Sequence, residues 1–111
     1  MESRSITIPV GDGHVSGLLL SPDNAKALYV FAHGAGVGMT HPSMASNAEG
    51  LAERGIATLR YQFPYMEKGG GRPDPPRIAH TAVRAAVAEA TELARDLPLF
   101  AGGRSFGGRM T

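Results

Sequence analysis

The sequence predicts an α/β fold: a mainly parallel sheet with helices on both faces, opened by an antiparallel hairpin. Three observations carry that expectation. Ala27-Leu28-Tyr29-Val30-Phe31-Ala32 is a continuous apolar run, the pattern of a strand buried on both faces. Further strand-like runs at 56–61 and 99–101 alternate with two stretches of helical periodicity. Upstream of them, two short strand-like runs flank the turn signal Gly11-Asp12-Gly13.

The chain has 111 residues, enough for one domain (1–111) and too few for two. Its formal net charge of +1 suggests neither nucleic acid nor an anionic membrane as a partner. There is no cysteine, which rules out a disulfide framework, a thiolate metal site and a cysteine nucleophile. No signal peptide and no apolar stretch near 18 residues is visible, so a soluble cytoplasmic protein is expected. Oligomeric state is left open.

In order, Ile6–Val10 and Val15–Leu20 should form the hairpin, with Pro9 marking an edge strand because it cannot donate to a ladder. The strand 27–32 runs into His33-Gly34-Ala35-Gly36-Val37-Gly38, a glycine-rich loop where open α/β sheets bind ligands. Pro42 suits the first turn of a helix with an apolar stripe of Met44, Ala48, Leu51 and Ala52, which Gly55 ends. Ile56–Tyr61 is the next strand, Gln62-Phe63-Pro64-Tyr65 leaves it, and Met66 to Pro76 reads as a loop holding Gly69-Gly70-Gly71. Asp74 is expected to cap the following helix, with Pro75 at its first position. Ile78, Ala82, Val83, Ala86, Val87, Ala90, Leu93 and Ala94 should form its buried stripe, and Pro98 should stop it. Leu99–Ala101 is the last strand, and the helix expected to follow it is missing.

Gly103, Ser105 and Gly107 then form G-x-S-x-G. A serine on a sharp strand-to-helix turn is held strained and exposed, and the flanking glycines permit the turn. Ser105 is the candidate nucleophile. The crossover rule brings its turn to the same sheet edge as the 33–38 loop. Acyl transfer needs a nucleophilic oxygen and two N–H groups aimed at the developing oxyanion. The backbone N–H groups of Phe106 and Ala35 are the candidates. Gly34 and Gly36 let that backbone approach a substrate, and Arg104 and Tyr65 are further candidate substrate contacts.

Three stretches, Ala32-His33-Gly34-Ala35-Gly36, Arg60-Tyr61-Gln62-Phe63-Pro64-Tyr65-Met66-Glu67 and Gly102-Gly103-Arg104-Ser105-Phe106-Gly107-Gly108-Arg109, together resemble the first half of an α/β-hydrolase. The likeness is to a small dienelactone-hydrolase-like branch, the predicted hydrolases of the KANL/Tex type. It implies a three-layer α/β-hydrolase-type sheet, truncated after the nucleophile elbow. It also implies a serine hydrolase that cleaves an ester or related acyl bond of a small-molecule substrate through an acyl-enzyme at Ser105. No metal or organic cofactor is implied. In this fold the triad acid and histidine follow the serine. All four histidines here, His14, His33, His41 and His80, precede it. The chain therefore reads as an amino-terminal fragment, expected to lose on the order of a million-fold in rate without its base. The unmatched sheet edge is an association hazard.

Plainer readings apply to several residues. His33 suits a loop-supporting role better than that of a base; His41 and His80 read as surface. Arg104 and Arg109 flank the serine and read as surface or salt-bridged, with an anionic substrate as the sharper alternative. Two other function classes are available. A phosphate loop needs G-x-x-x-x-G-K followed by Ser or Thr, and here Arg109 and Met110 stand in those places. A non-catalytic interaction scaffold is the other.

Overall fold

The computed structural model describes residues 2–111. Five strands form one sheet in the order β1-β2-β4-β3-β5. β1 (Arg4–Val10) and β2 (Gly13–Leu20) make the hairpin, closed where Val10 faces Gly13. Pro9 does lie on an edge strand, since among the described residues β1 pairs only with β2. β2 then runs antiparallel to β4 (Ile56–Tyr61), and β3 (Ala27–Ala32) lies parallel to both β4 and β5 (Leu99–Gly103). β3 and β4 keep the bounds read from sequence.

Register decides the two faces. Leu28, Val30 and Ala32 stand opposite Ala57, Leu59 and Tyr61, and this face carries the larger core. α3 (Pro76–Leu93) covers it with Ala79, Ala82, Val83, Ala86 and Ala90, small side chains that let the helix approach the sheet closely. α1 (Pro42–Glu53) covers the other face near β2 and β4, where Leu20, Ala48 and Ala52 cluster. Further along that face, Tyr29 stacks on Phe31 at 5.3 Å while Phe100 of β5 stays 61% exposed. β5 pairs with β3 alone, so its second edge is unpaired among the described residues.

The structure corrects several local expectations. Ile78 is exposed and Ala79 takes its place against the sheet. Asp74 does not cap α3; Pro75 is the N-cap and Pro76 the first helical residue. Neither proline offers an N–H to a capping carboxylate, and Asp74 instead accepts from the Tyr65 N–H at 3.0 Å. α3 ends at Leu93, before Pro98, because Ala94 leaves helical backbone space at φ −143° and ψ 64°; the Pro98 carbonyl then joins the ladder, accepting from Leu28 N at 3.0 Å. Pro64–Glu67, expected as the exit from β4 and the start of a loop, is a single helical turn, α2, with Pro64 at its start. The turn after β5 does begin a helix, α4 (Phe106–Met110).

Candidate active site

The turn from β5 into α4 is sharp enough to force one residue out of ordinary backbone space. Ser105 sits at φ 46° and ψ −112°, a conformation a non-glycine residue adopts only when its surroundings impose it. The surroundings are the end of β3. A Cβ on Gly103 would come within 2.5 Å of the Ala32 carbonyl oxygen and 2.8 Å of the Ala32 Cβ. A Cβ on Gly107 would overlap the His33 carbonyl oxygen and lie 2.7 Å from the Ala32 Cβ. Both motif glycines are thus required by steric exclusion against β3. They face packed backbone and not an open cradle, which weighs against the phosphate-loop reading. Ser105 itself is exposed.

The 33–38 loop meets this turn. A Cβ on Gly34 would stand 3.7 Å from the Ser105 Cβ and 3.4 Å from the Arg104 carbonyl oxygen. The loop reverses within four residues, with Gly36 at φ +74° and the Val37 N–H donating to the Gly34 carbonyl at 3.3 Å. His33 anchors it from beneath. The ring is fully buried; Nε2 accepts from the Phe63 N–H at 3.0 Å and Nδ1 lies 2.8 Å from the Gly34 carbonyl oxygen. Nε2 as acceptor requires Nδ1 to be the donor, so the imidazole is neutral with both nitrogens engaged. Burial pushes its pKa below the ordinary histidine value, against smaller opposing effects of the Gly34 carbonyl and the Asp74 charge. Because Nδ1–H holds the Gly34 carbonyl inward, the N–H of the same trans peptide, that of Ala35, points the other way. Among the described residues, neither the Ala35 N–H nor the Phe106 N–H meets a backbone acceptor.

Aromatic rings join the two segments. Phe63 lies 5.1 Å from both His33 and Phe106, edge to face, and Tyr65 lies 5.9 Å and 6.0 Å from the same pair. Tyr65 is only 6% exposed. It therefore sits under the loop and does not line a mouth, a correction to its expected place as a direct substrate contact. Behind it, the Glu67 carboxylate accepts from Ser16 N at 2.9 Å, Ser16 Oγ at 2.8 Å and Gln62 Nε2 at 3.1 Å, tying α2 to β2. Burial raises its pKa, but these hydrogen bonds outweigh that and hold it below the ordinary glutamate value. Arg60, buried on the α1 side, donates to the Met39 carbonyl at 2.9 Å and so supports the far end of the loop.

Two arginines flank the serine. Arg109 Nη1 lies 3.5 Å from Ser105 Oγ. Arg104 Nη1 donates to Ser43 Oγ at 2.5 Å, and that oxygen is 2.9 Å from His41 Nδ1. Both are exposed, and neither forms a salt bridge among the described residues. Sequence reasoning missed Ser43 and His41 as neighbours of the elbow; Pro42 marked the helix start that carries them but not what that start faces. Two concavities, of about 230 and 210 Å³, lie by Leu20 and Glu49 and by His80 and Met110, and Ser105 lines neither. No group of three metal-ligating side chains occurs among the described residues, and none of their helices is long and apolar enough to cross a membrane.

Residues 25–111 match the family model of the alpha/beta hydrolase domain. No curated protein matches the sequence. Among solved structures, the chain is similar to a dienelactone hydrolase from Anabaena variabilis, with 24% identity and a TM-score of 0.84 over 98% of this chain and 54% of that one. It is similar to an alpha-beta serine hydrolase homologue from Coxiella burnetii, with 20% identity and a TM-score of 0.83 over 99% and 55%. It also resembles Est1E from Butyrivibrio proteoclasticus, with 22% identity and a TM-score of 0.79 over 96% and 42%. The chain thus spans about half the length of these structures, and at such identities the likeness is one of fold.

Proposed function

This chain belongs to the alpha/beta hydrolase family, and from that premise we propose that it carries the nucleophile and oxyanion donors of a serine hydrolase. The observation that carries the reading is the exposed, strained Ser105 set against Gly34. In the proposed reaction Ser105 Oγ attacks the carbonyl carbon of a small-molecule ester or related acyl substrate, and its proton passes to a histidine base. The oxyanion of the tetrahedral intermediate takes hydrogen bonds from the Ala35 and Phe106 N–H groups, each worth a few kcal/mol of transition-state stabilisation. Collapse expels the alcohol, which takes up that proton, and leaves an acyl-enzyme; water then releases the acid and regenerates the hydroxyl. In this reading Gly34 and Gly36 leave room for the acyl group, and the exposed Arg104 beside the serine is the candidate contact for its outer end. His33 does not serve as the base, since both its nitrogens are spent. Triad order in this fold puts the acid and the histidine after the serine, so we place them beyond Thr111 in a longer parent. The 111-residue chain alone is expected to show little or no turnover.

A fluorophosphonate probe tests the reading. It should label the full-length parent at Ser105, and Ser105→Ala should abolish the adduct. Label retained in that variant, on any other residue, would remove Ser105 from the chemistry. A non-catalytic scaffold would have no use for a strained hydroxyl held in solvent, and would show no labelling at all.

A further inference from the structure

We propose that Tyr65 is a positioning residue for the oxyanion donors, and that its hydroxyl acts on the Gly36 peptide when the site fills. The inference rests on the reading of Ala35 and Phe106 given above and adds a residue to it. Tyr65, like Phe63, touches both donor-bearing segments, but it alone of the two carries a hydroxyl. Its ring packs edge-on against His33, which holds the Gly34 carbonyl, and against Phe106, which carries the second N–H. Its backbone is pinned on both sides: Tyr65 N donates to Asp74 Oδ2 at 3.0 Å and its carbonyl accepts from Gly70 N at 2.9 Å.

The hydroxyl is the unexplained part. Tyr65 Oη is buried beside the Gly36 backbone, near enough for that backbone to oppose the burial-driven rise of its pKa but short of a fully formed hydrogen bond. An unsatisfied buried hydroxyl weakens the resting fold. A phenylalanine would fill the same space without that cost, as Phe63 does beside the same two rings. The other buried side-chain atoms lacking a partner among the described residues, Thr58 Oγ1 and Arg60 Nε, lie on the α1 face of the sheet. Among the described residues, Tyr65 alone places such an atom against the 33–38 loop. A small closure of the loop over a substrate would bring the Gly36 N–H into hydrogen bonding with Oη and fix the neighbouring Ala35 N–H.

Tyr65→Phe in the full-length protein separates this from a packing role. Thermal unfolding and the second-order rate of Ser105 labelling by an alkyl fluorophosphonate are both measured. The expected result is an unchanged or higher Tm with labelling slowed roughly tenfold. Unchanged labelling would overturn the proposal, and so would a lowered Tm that accounts for the slower rate. If wild-type Ser105 is not labelled, the nucleophile reading fails separately. The backbone amide resonances of Ala35, Gly36 and Phe106 then decide: shifts confined to these in Tyr65→Phe support positioning, and no shift refutes it.

Discussion

The two segments that meet at Ser105 leave the same edge of the sheet, yet different forces hold them. The turn after β5 is shaped by exclusion. Gly103 and Gly107 are pressed against β3, and Ser105 takes a disfavoured backbone conformation with no side-chain cap. The loop after β3 is shaped by polar groups: the buried His33 ring and Arg60 guanidinium, and the half-buried Asp74 carboxylate behind Tyr65. One half of the site should therefore respond to side-chain volume and the other to hydrogen bonding and pH.

The largest expected effect is on the first half. Gly107→Ala forces a methyl into the His33 carbonyl and Ala32, and should cost about 3 kcal/mol in urea unfolding. A loss below about 1 kcal/mol would show that the turn can give way. Next is His33→Leu, which strands the Phe63 N–H and the Gly34 carbonyl and should cost about 2 kcal/mol. It should also change the pH dependence. The folded-state pKa of His33 is lowered, so below about 6.5 the unfolded chain binds a proton that the folded chain refuses. This contribution is fully present above that pH and declines as the pH falls, by at most about 1.4 kcal/mol per pH unit. Stability measured from pH 7.5 to 5 should lose this slope in His33→Leu. A slope that persisted would mean another group supplies it.

Ser105→Gly should run the other way. Relief of the disfavoured backbone should raise stability by about 1 kcal/mol, and a destabilised variant would contradict the strain described here. The smallest effect is expected from Glu67→Gln, at about 0.5–1 kcal/mol near neutral pH. Here the folded-state pKa is depressed, so the stabilisation is complete above the ordinary glutamate value and disappears as the pH falls through the folded one. Wild type and variant should converge only as the pH falls through that depressed pKa, and curves that stayed parallel to the acid limit would rule the carboxylate out.

Legibility in the sequence followed the same division. β3 was readable residue for residue because burial on both faces leaves an unbroken apolar run, and the G-x-S-x-G spacing is the direct imprint of steric exclusion. Long-range polar contacts leave no such imprint. Nothing near Asp74 announces that its carboxylate belongs to Tyr65, nine residues earlier, and a capping role was the better local inference. α2 is too short for periodicity to register. Ile78 and Ala79 are adjacent apolar residues, and a choice between them depends on where the sheet lies. Tyr65 stood out through family resemblance, but its burial depends on the way His33, Phe63 and Phe106 close around it.

Ala32 ends β3 with a single methyl, and both motif glycines abut it. Positions 32, 103 and 107 consequently share one small volume. Enlarging any of them consumes space that the other two need, so their substitutions should combine non-additively. A combinatorial library across this region should treat the three as a single locus, with any compensation for a bulkier 103 or 107 sought first at 32.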